Sequence, residues 1–175
     1  MGTVAATLAF ASTAQATTAR AVSLTELVRR STRIARATAL ESFTRSEQIG
    51  GARHIVTYSR LRLDDTIHGP NGEAETLVRT LGGRVGELGE IVHGEAELTL
   101  NETSLVFLTP DASGVELVTA MAQGQYPVAM DRAGTARLQF SRNLPRLVGS
   151  KTSAVNQLTG MPFIEARALI LGARR

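Results

Sequence analysis

Three histidines and four closely spaced glutamates are the residues of this chain whose types could bind a metal or carry acid–base chemistry. His54, His68 and His93 never stand in the His-x-His or His-x-x-x-His spacing that places two metal ligands side by side. We therefore expect ordinary surface histidines and no metal site. The acids could bind a hard cation such as calcium, but no calcium-loop pattern is present, which favours solvated carboxylates. The acids are Glu87, Glu90, Glu95 and Glu97.

The acids lie in or next to a glycine-rich stretch, residues 82–94, whose first five residues could suggest a phosphate-binding loop. These five are Gly82-Gly83-Arg84-Val85-Gly86. They lack the Gly-Lys-Ser/Thr ending of a P-loop, and Gly-x-Gly-x-x-Gly is not matched. Glycines that shape a bend of a β-barrel are the favoured interpretation, because glycine permits bulges and close approach of backbones. The stretch therefore predicts a tightly bent excursion rather than a regular strand, and no cofactor.

No catalytic constellation stands out in the remaining sequence. There is no Gly-x-Ser-x-Gly nucleophile elbow, and no serine has a histidine or acid at a spacing typical of a known catalytic motif. We assign no catalytic residue, although a hydrolase with residues dispersed along the chain stays open. Nucleic-acid binding is not expected, because the five phenylalanines and two tyrosines are too few for a base-stacking platform.

The first sixteen residues carry no charge and end on Ala14-Gln15-Ala16, a small-x-small cleavage pattern. This pattern predicts a signal peptide over residues 1–16 and a secreted or periplasmic protein. An alanine-rich helix or disordered arm is the alternative, because signal peptides start with basic residues and the first one here is Arg20. We expect no membrane span, which needs about 20 apolar residues. The chain has no cysteine, so disulfides, thiolate metal sites and a lipid-bearing cysteine are excluded.

The remaining elements indicate a mainly β domain with a helix at each end. Ser23 and Glu26 form a Ser-x-x-Glu capping box, which predicts a helix ending near residues 30–32. Alternating apolar residues and turn signals predict a series of strands, which favours an all-β barrel or sandwich. The first strand competes with a helix over residues 37–41. The predicted strands are 34–44, 54–67, 77–81, 104–109, 115–119, 126–130 and 135–140.

We divide the chain into a signal peptide at 1–16, a flexible segment at 17–22, a β-barrel domain at 23–140, a linker at 141–159 and a short C-terminal helix at 160–175. Residues 131–175 hold eight basic residues and two acids, a net charge of +6. Because these charges are spaced singly, a solvated surface is the favoured interpretation of this basic segment.

Several segments resemble known exported proteins. Residues 31–38 resemble the opening of netrin-like domains, the fold of tissue inhibitors of metalloproteinases. Residues 57–69 and 105–108 are similar to strands of that family, and residues 114–118 follow the second of these strands. Residues 78–86 and 121–126 look more closely like an uncharacterised family of exported bacterial proteins, and the likeness covers residues 23–140. It implies a five-stranded OB-type barrel and no particular activity. The inhibitors act through an N-terminal cysteine, which this chain lacks.

Together these observations lead us to expect an exported, non-enzymatic binding domain that contacts a protein partner, for example a secreted protease. Loops on a rigid scaffold are where binding residues concentrate. The alternatives are a secreted hydrolase or a structural envelope component whose basic segment rests on an anionic surface. The oligomeric state is not predicted. The residues expected to form the contact surface are Gly82, Gly83, Arg84, Gly86, Gln123, Gly124 and Tyr126.

Overall fold

The computed structural model describes residues 18–70, 72–149 and 152–174, so the predicted signal peptide at 1–16 lies outside the described residues. The fold is mainly β with small helices towards both ends, as the sequence predicts. The strands are β1 (Thr18–Arg20), β2 (Arg33–Ile49), β3 (Ala52–His68), β4 (Glu75–Leu81), β5 (Gly83–Val85), β6 (Leu88–Glu90), β7 (Thr103–Pro110), β8 (Glu116–Val118), β9 (Gln125–Met130), β10 (Ala136–Leu138) and β11 (Arg146–Val148). The helices are α1 (Leu24–Arg30), α2 (Ala154–Leu158) and α3 (Phe163–Gly172), with a 3₁₀ turn at Met121–Gly124.

The main sheet has seven strands in the order β10-β9-β7-β2-β3-β4-β8. Strand β8 also pairs with β7, so β7, β2, β3, β4 and β8 form a ring of neighbours. The ring resembles an OB-like barrel, but β8 has only three residues and its pairings are short, so the barrel is not strictly closed. The predicted fold class is confirmed at this level.

Strands β2 and β3 form one long hairpin, each 17 residues long, joined at Gly50 and Gly51. Both glycines have positive φ, 58° and 86°, which L-residues with side chains rarely adopt. The competing helix over residues 37–41 is wrong, because all of these residues except Leu40, which lies at a bulge, pair with β3 on one side. Ala37 and Thr38 also pair with β7 on the other side. The outer half of the hairpin extends past the β2–β7 ladder, which ends at Thr38–Thr103.

Buried side chains form two clusters on opposite faces of the sheet. One cluster packs the three helices against the sheet and includes Leu27, Phe107 and Leu158. The other fills the ring and includes Leu61 and Val106. Neighbouring residues of a strand point to opposite faces, so the apolar run of β7 serves both clusters at once. The capped helix predicted from Ser23 is α1, and the Ser23 hydroxyl accepts a hydrogen bond from the backbone N–H of Glu26.

Two segments that the sequence predicts to be loose are ordered. Within the predicted flexible segment 17–22, β1 pairs in parallel with β11, and Ala21 N–H donates to the carbonyl of Val148. The predicted linker 141–159 contains β11 and α2, and Ala154 and Leu158 of α2 are fully buried. Tertiary contacts order both segments, because each one pairs or packs with residues that are distant in the sequence. The C-terminal helix predicted within 160–175 is α3.

No helix of the described ranges is long and apolar enough to cross a bilayer.

Candidate functional site

The glycine-rich stretch folds into a small hairpin, β5 and β6, at the outer end of the long β2–β3 hairpin. Val85 pairs with Leu88, so Gly86 and Glu87 form a two-residue turn. Gly86 has φ 57°, the positive value that the first position of a type II′ turn requires. The predicted bent excursion is therefore a tight hairpin.

Gly83 lets this hairpin lie directly against β2 and β3. A Cβ atom at Gly83 would lie 2.6 Å from the Thr57 hydroxyl oxygen and 2.7 Å from a Thr44 methyl carbon. Real Cβ atoms are essentially never that close to another atom, so only glycine fits. The hydroxyl of Thr44 also donates to the carbonyl of Arg84, and Gly82 N–H donates to the carbonyl of Ile55.

Glu90 at the end of β6 attaches the other side of the hairpin. Its carboxylate accepts a hydrogen bond from the backbone N–H of Ile55 at 2.6 Å and contacts His54 Nδ1 at 2.8 Å. The hydrogen bond with His54 is the main reason that the pKa of Glu90 is lowered. A hydrolase would need a nucleophile beside this pair. Because Glu90 lies on β6 and both of its partners lie on β3, the contacts attach the hairpin to the sheet; within the described ranges no hydroxyl is hydrogen-bonded to His54.

The outer side of the hairpin exposes apolar side chains. Leu88 is 72% exposed and Ile91 is 82% exposed, and Val85 is also exposed. Arg84 stands beside them, largely in solvent, with its Nε donating to the carbonyl of Gly86. We call Arg84, Val85, Leu88 and Ile91 the hairpin surface. It combines a rigid attachment with apolar groups that nothing in the described chain covers.

A cleft of about 390 Å³ lies between the hairpin and the sheet. Its lining includes three hydroxyl residues of β3 and β4, three glutamates and Asn143. We call it the hairpin cleft. The hydroxyl residues are Thr57, Ser59 and Thr80, and the acids are Glu90, Glu95 and Glu97.

Glu95 is the buried acid of the hairpin cleft. It is 9% exposed, and its two carboxylate oxygens accept hydrogen bonds from the backbone N–H groups of Leu81 (3.2 Å) and Ala96 (2.9 Å). Burial raises the pKa of Glu95, and the two backbone donors offset this only in part. The interpretation of this residue as a solvated acid is therefore wrong.

The structure divides the predicted contact surface in two. Arg84 and Gly86 are exposed on the hairpin, with Gly82 and Gly83 beneath it as its attachment. The second group is buried and cannot touch a partner: Gln123 and Tyr126 are 5% and 1% exposed, and Gly124 is buried as well.

Each residue of this buried group has a structural reason for its type. The amide of Gln123 accepts from Val22 N–H and donates to the carbonyl of Arg20, which holds β1 in place. A Cβ atom at Gly124 would lie 2.0 Å from the carbonyl oxygen of Thr119. Tyr126 packs edge-on against Phe107 in the core, and burial raises the pKa of its hydroxyl.

In the described ranges no group of three or more His, Asp or Glu side chains is arranged to hold a metal ion. The calcium alternative at the four glutamates therefore gains no support. Glu95, which the sequence offers only as a possible calcium ligand, and Ser59, which no motif singles out, are cleft residues outside the predicted contact surface. Alternation places Ser59 on the same side of β3 as Leu61, but no local signal shows that a cleft lies above it.

Comparison with known proteins finds no family model that matches the chain and no matching curated protein.

Proposed function

We propose that this chain is an exported, non-enzymatic binding domain, and that the hairpin surface is where it contacts a protein partner. A secreted protease is one partner of this class. The likeness to exported bacterial proteins and the predicted signal peptide over residues 1–16 motivate the extracytoplasmic location.

The supporting observation is the exposure of Leu88 and Ile91 on a hairpin that is attached by hydrogen bonds at both sides. Exposed apolar side chains on a fixed backbone bind with little loss of conformational entropy, which is the main cost of ordering a loop on binding. Burying one leucine contributes about 1.5 to 3 kcal/mol. Arginine is enriched among the residues that dominate the binding energy of interfaces, and Arg84 stands beside these two apolar side chains.

Site-specific crosslinking tests the proposal. A photoreactive amino acid replaces Leu88 in one variant and Met130 in the other, and both are expressed in the exporting cell. Met130 is a matched control, because it is exposed and apolar but lies on β9, which pairs with β7 and β10. We expect a discrete crosslinked partner from position 88 and none from position 130.

The purified partner then gives a quantitative test. Leu88→Ser should weaken binding at least about tenfold, equivalent to about 1.4 kcal/mol, whereas Met130→Ser should leave it unchanged. Equal crosslinking from both positions, or unchanged binding by Leu88→Ser, would contradict the proposal. Crosslinking of the chain to itself would instead assign the surface to self-association.

A further inference from the structure

The hairpin cleft has a lining whose charged groups all have one sign. Glu90, Glu95 and Glu97 line it, and no lysine or arginine of the described ranges does. Glu90 already contacts His54, whereas the buried carboxylate of Glu95 has no side-chain partner in the described chain. A buried carboxylate without an opposite charge is costly, so a cationic group in the cleft would be stabilised.

The geometry of Glu95 leaves room for such a group. Each carboxylate oxygen accepts one backbone N–H, from Leu81 or from Ala96. A carboxylate offers about four lone-pair positions, so about half remain free. The two backbone donors also fix the orientation of the carboxylate, so little ordering is needed when a cation arrives.

Ser59 supplies a second, independent observation. It is 1% exposed and lines the cleft, yet its hydroxyl has no hydrogen-bond partner in the part of the chain that the structure describes. The neighbouring Thr57 hydroxyl donates to the carbonyl of Gly82 and is already used. Buried hydroxyls are normally paired, so the free Ser59 oxygen is available to accept a hydrogen bond from a group in the cleft.

We propose that the hairpin cleft binds the guanidinium or ammonium group of a basic side chain that a segment of the protein partner inserts beneath the hairpin. A guanidinium or ammonium has only donors, which fits a lining of carboxylate and hydroxyl acceptors. Ile91 belongs both to the hairpin surface and to the cleft lining. The recognised segment therefore carries a basic residue next to apolar ones. This inference rests on the proposed function for the source of the side chain.

An NMR titration of the isotope-labelled full chain tests the inference directly. The probe is the capped peptide acetyl-Leu-Arg-Leu-amide, and its matched control is the same peptide with citrulline, the neutral isostere of arginine. We expect the arginine peptide to shift the backbone amide signals of Leu81 and Ala96, which bond to Glu95. The citrulline peptide should bind at least about tenfold more weakly.

Variants assign the effect to the cleft. Glu95→Gln removes the buried charge and should weaken peptide binding at least about tenfold, whereas Glu87→Gln removes a charge from the solvent-exposed turn and should not. Ser59→Ala should weaken peptide binding about threefold. If Glu95→Gln does not fold, the Ser59→Ala variant tests whether the peptide binds in the hairpin cleft. Equal binding of the two peptides, unchanged binding by the folded variants, or signal shifts confined to other regions would overturn the inference.

The two proposals fail separately. If the peptide binds through Glu95 but no protein crosslinks from position 88, the cation site stands and the proposed function falls. If a partner requires Leu88 but binds the wild type and the Glu95→Gln variant with equal affinity, the proposed binding function is supported and the cation site is ruled out.

Discussion

Replacing Gln125 with leucine is the perturbation that most directly tests the buried structure around the predicted contact residues Gln123, Gly124 and Tyr126. Gln125 is 1% exposed at the start of β9. Its carbonyl oxygen accepts from Glu97 N–H and from the Ser141 hydroxyl, and its amide nitrogen donates to the carbonyl of Glu97. Leucine has nearly the same size but makes none of these bonds.

The expected loss follows from the groups left behind. Gln125→Leu removes the partner of the buried Ser141 hydroxyl and of the part-buried N–H and carbonyl of Glu97, and a buried polar group without a partner costs about 1 to 3 kcal/mol. The added apolar surface of leucine offsets part of this loss. We therefore expect the free energy of unfolding to fall by about 2 to 4 kcal/mol.

Urea denaturation followed by circular dichroism measures this change. With a slope of about 2 kcal/mol per molar urea, the midpoint should fall by about 1 to 2 M. Gln139→Leu is the matched control, because Gln139 is exposed and its side chain forms no hydrogen bond among the described residues. It should change stability by less than about 0.5 kcal/mol. A similarly small change for Gln125→Leu would refute the assignment of Gln125 as a buried hydrogen-bonding centre.

Three further predictions concern other buried groups. Gln123→Ala should speed hydrogen exchange of the Val22 amide while that of Phe107 stays protected, because the side-chain acceptor is lost; equal protection in both proteins would contradict this. Because burial raises the pKa of Glu95, the folded chain holds this proton more tightly than the unfolded chain. The stability of the wild type should therefore fall relative to Glu95→Gln as pH rises above about 4.3, levelling off above the folded pKa, and parallel stability curves would refute the burial effect. Arg33→Met leaves the carboxylate of Glu116 without its partner at 2.9 Å, so it should lower the free energy of unfolding by about 3 to 5 kcal/mol in urea titrations, and a loss below about 1 kcal/mol would show that this pair contributes little.

The strands were predictable because their signals are local. Alternation over 54–67 corresponds to β3, and the Gly50-Gly51 turn follows from the need for positive φ. The pairing partners of β2 were not predictable in the same way. Its residues 37–41 have helix-forming alanines, and only the ladders with β3 and β7 override that propensity.

The candidate site was only half predictable. Its glycines stand out in the sequence, and they do form the attached hairpin. Gln123 and Gln125 look like surface residues, because glutamine is seldom buried. Their partners lie 101 residues earlier in the chain for Gln123 and 28 residues earlier for Gln125, so no local pattern could place them inside.

The attachment of β1 links segments that are far apart in the described chain. Its ladder partner β11 and the amide of Gln123 both lie more than 100 residues later in the sequence. Contacts of such sequence separation form slowly, since the intervening loop must close first. We therefore expect the ladder between β1 and β11 to be among the later contacts to form when the chain folds.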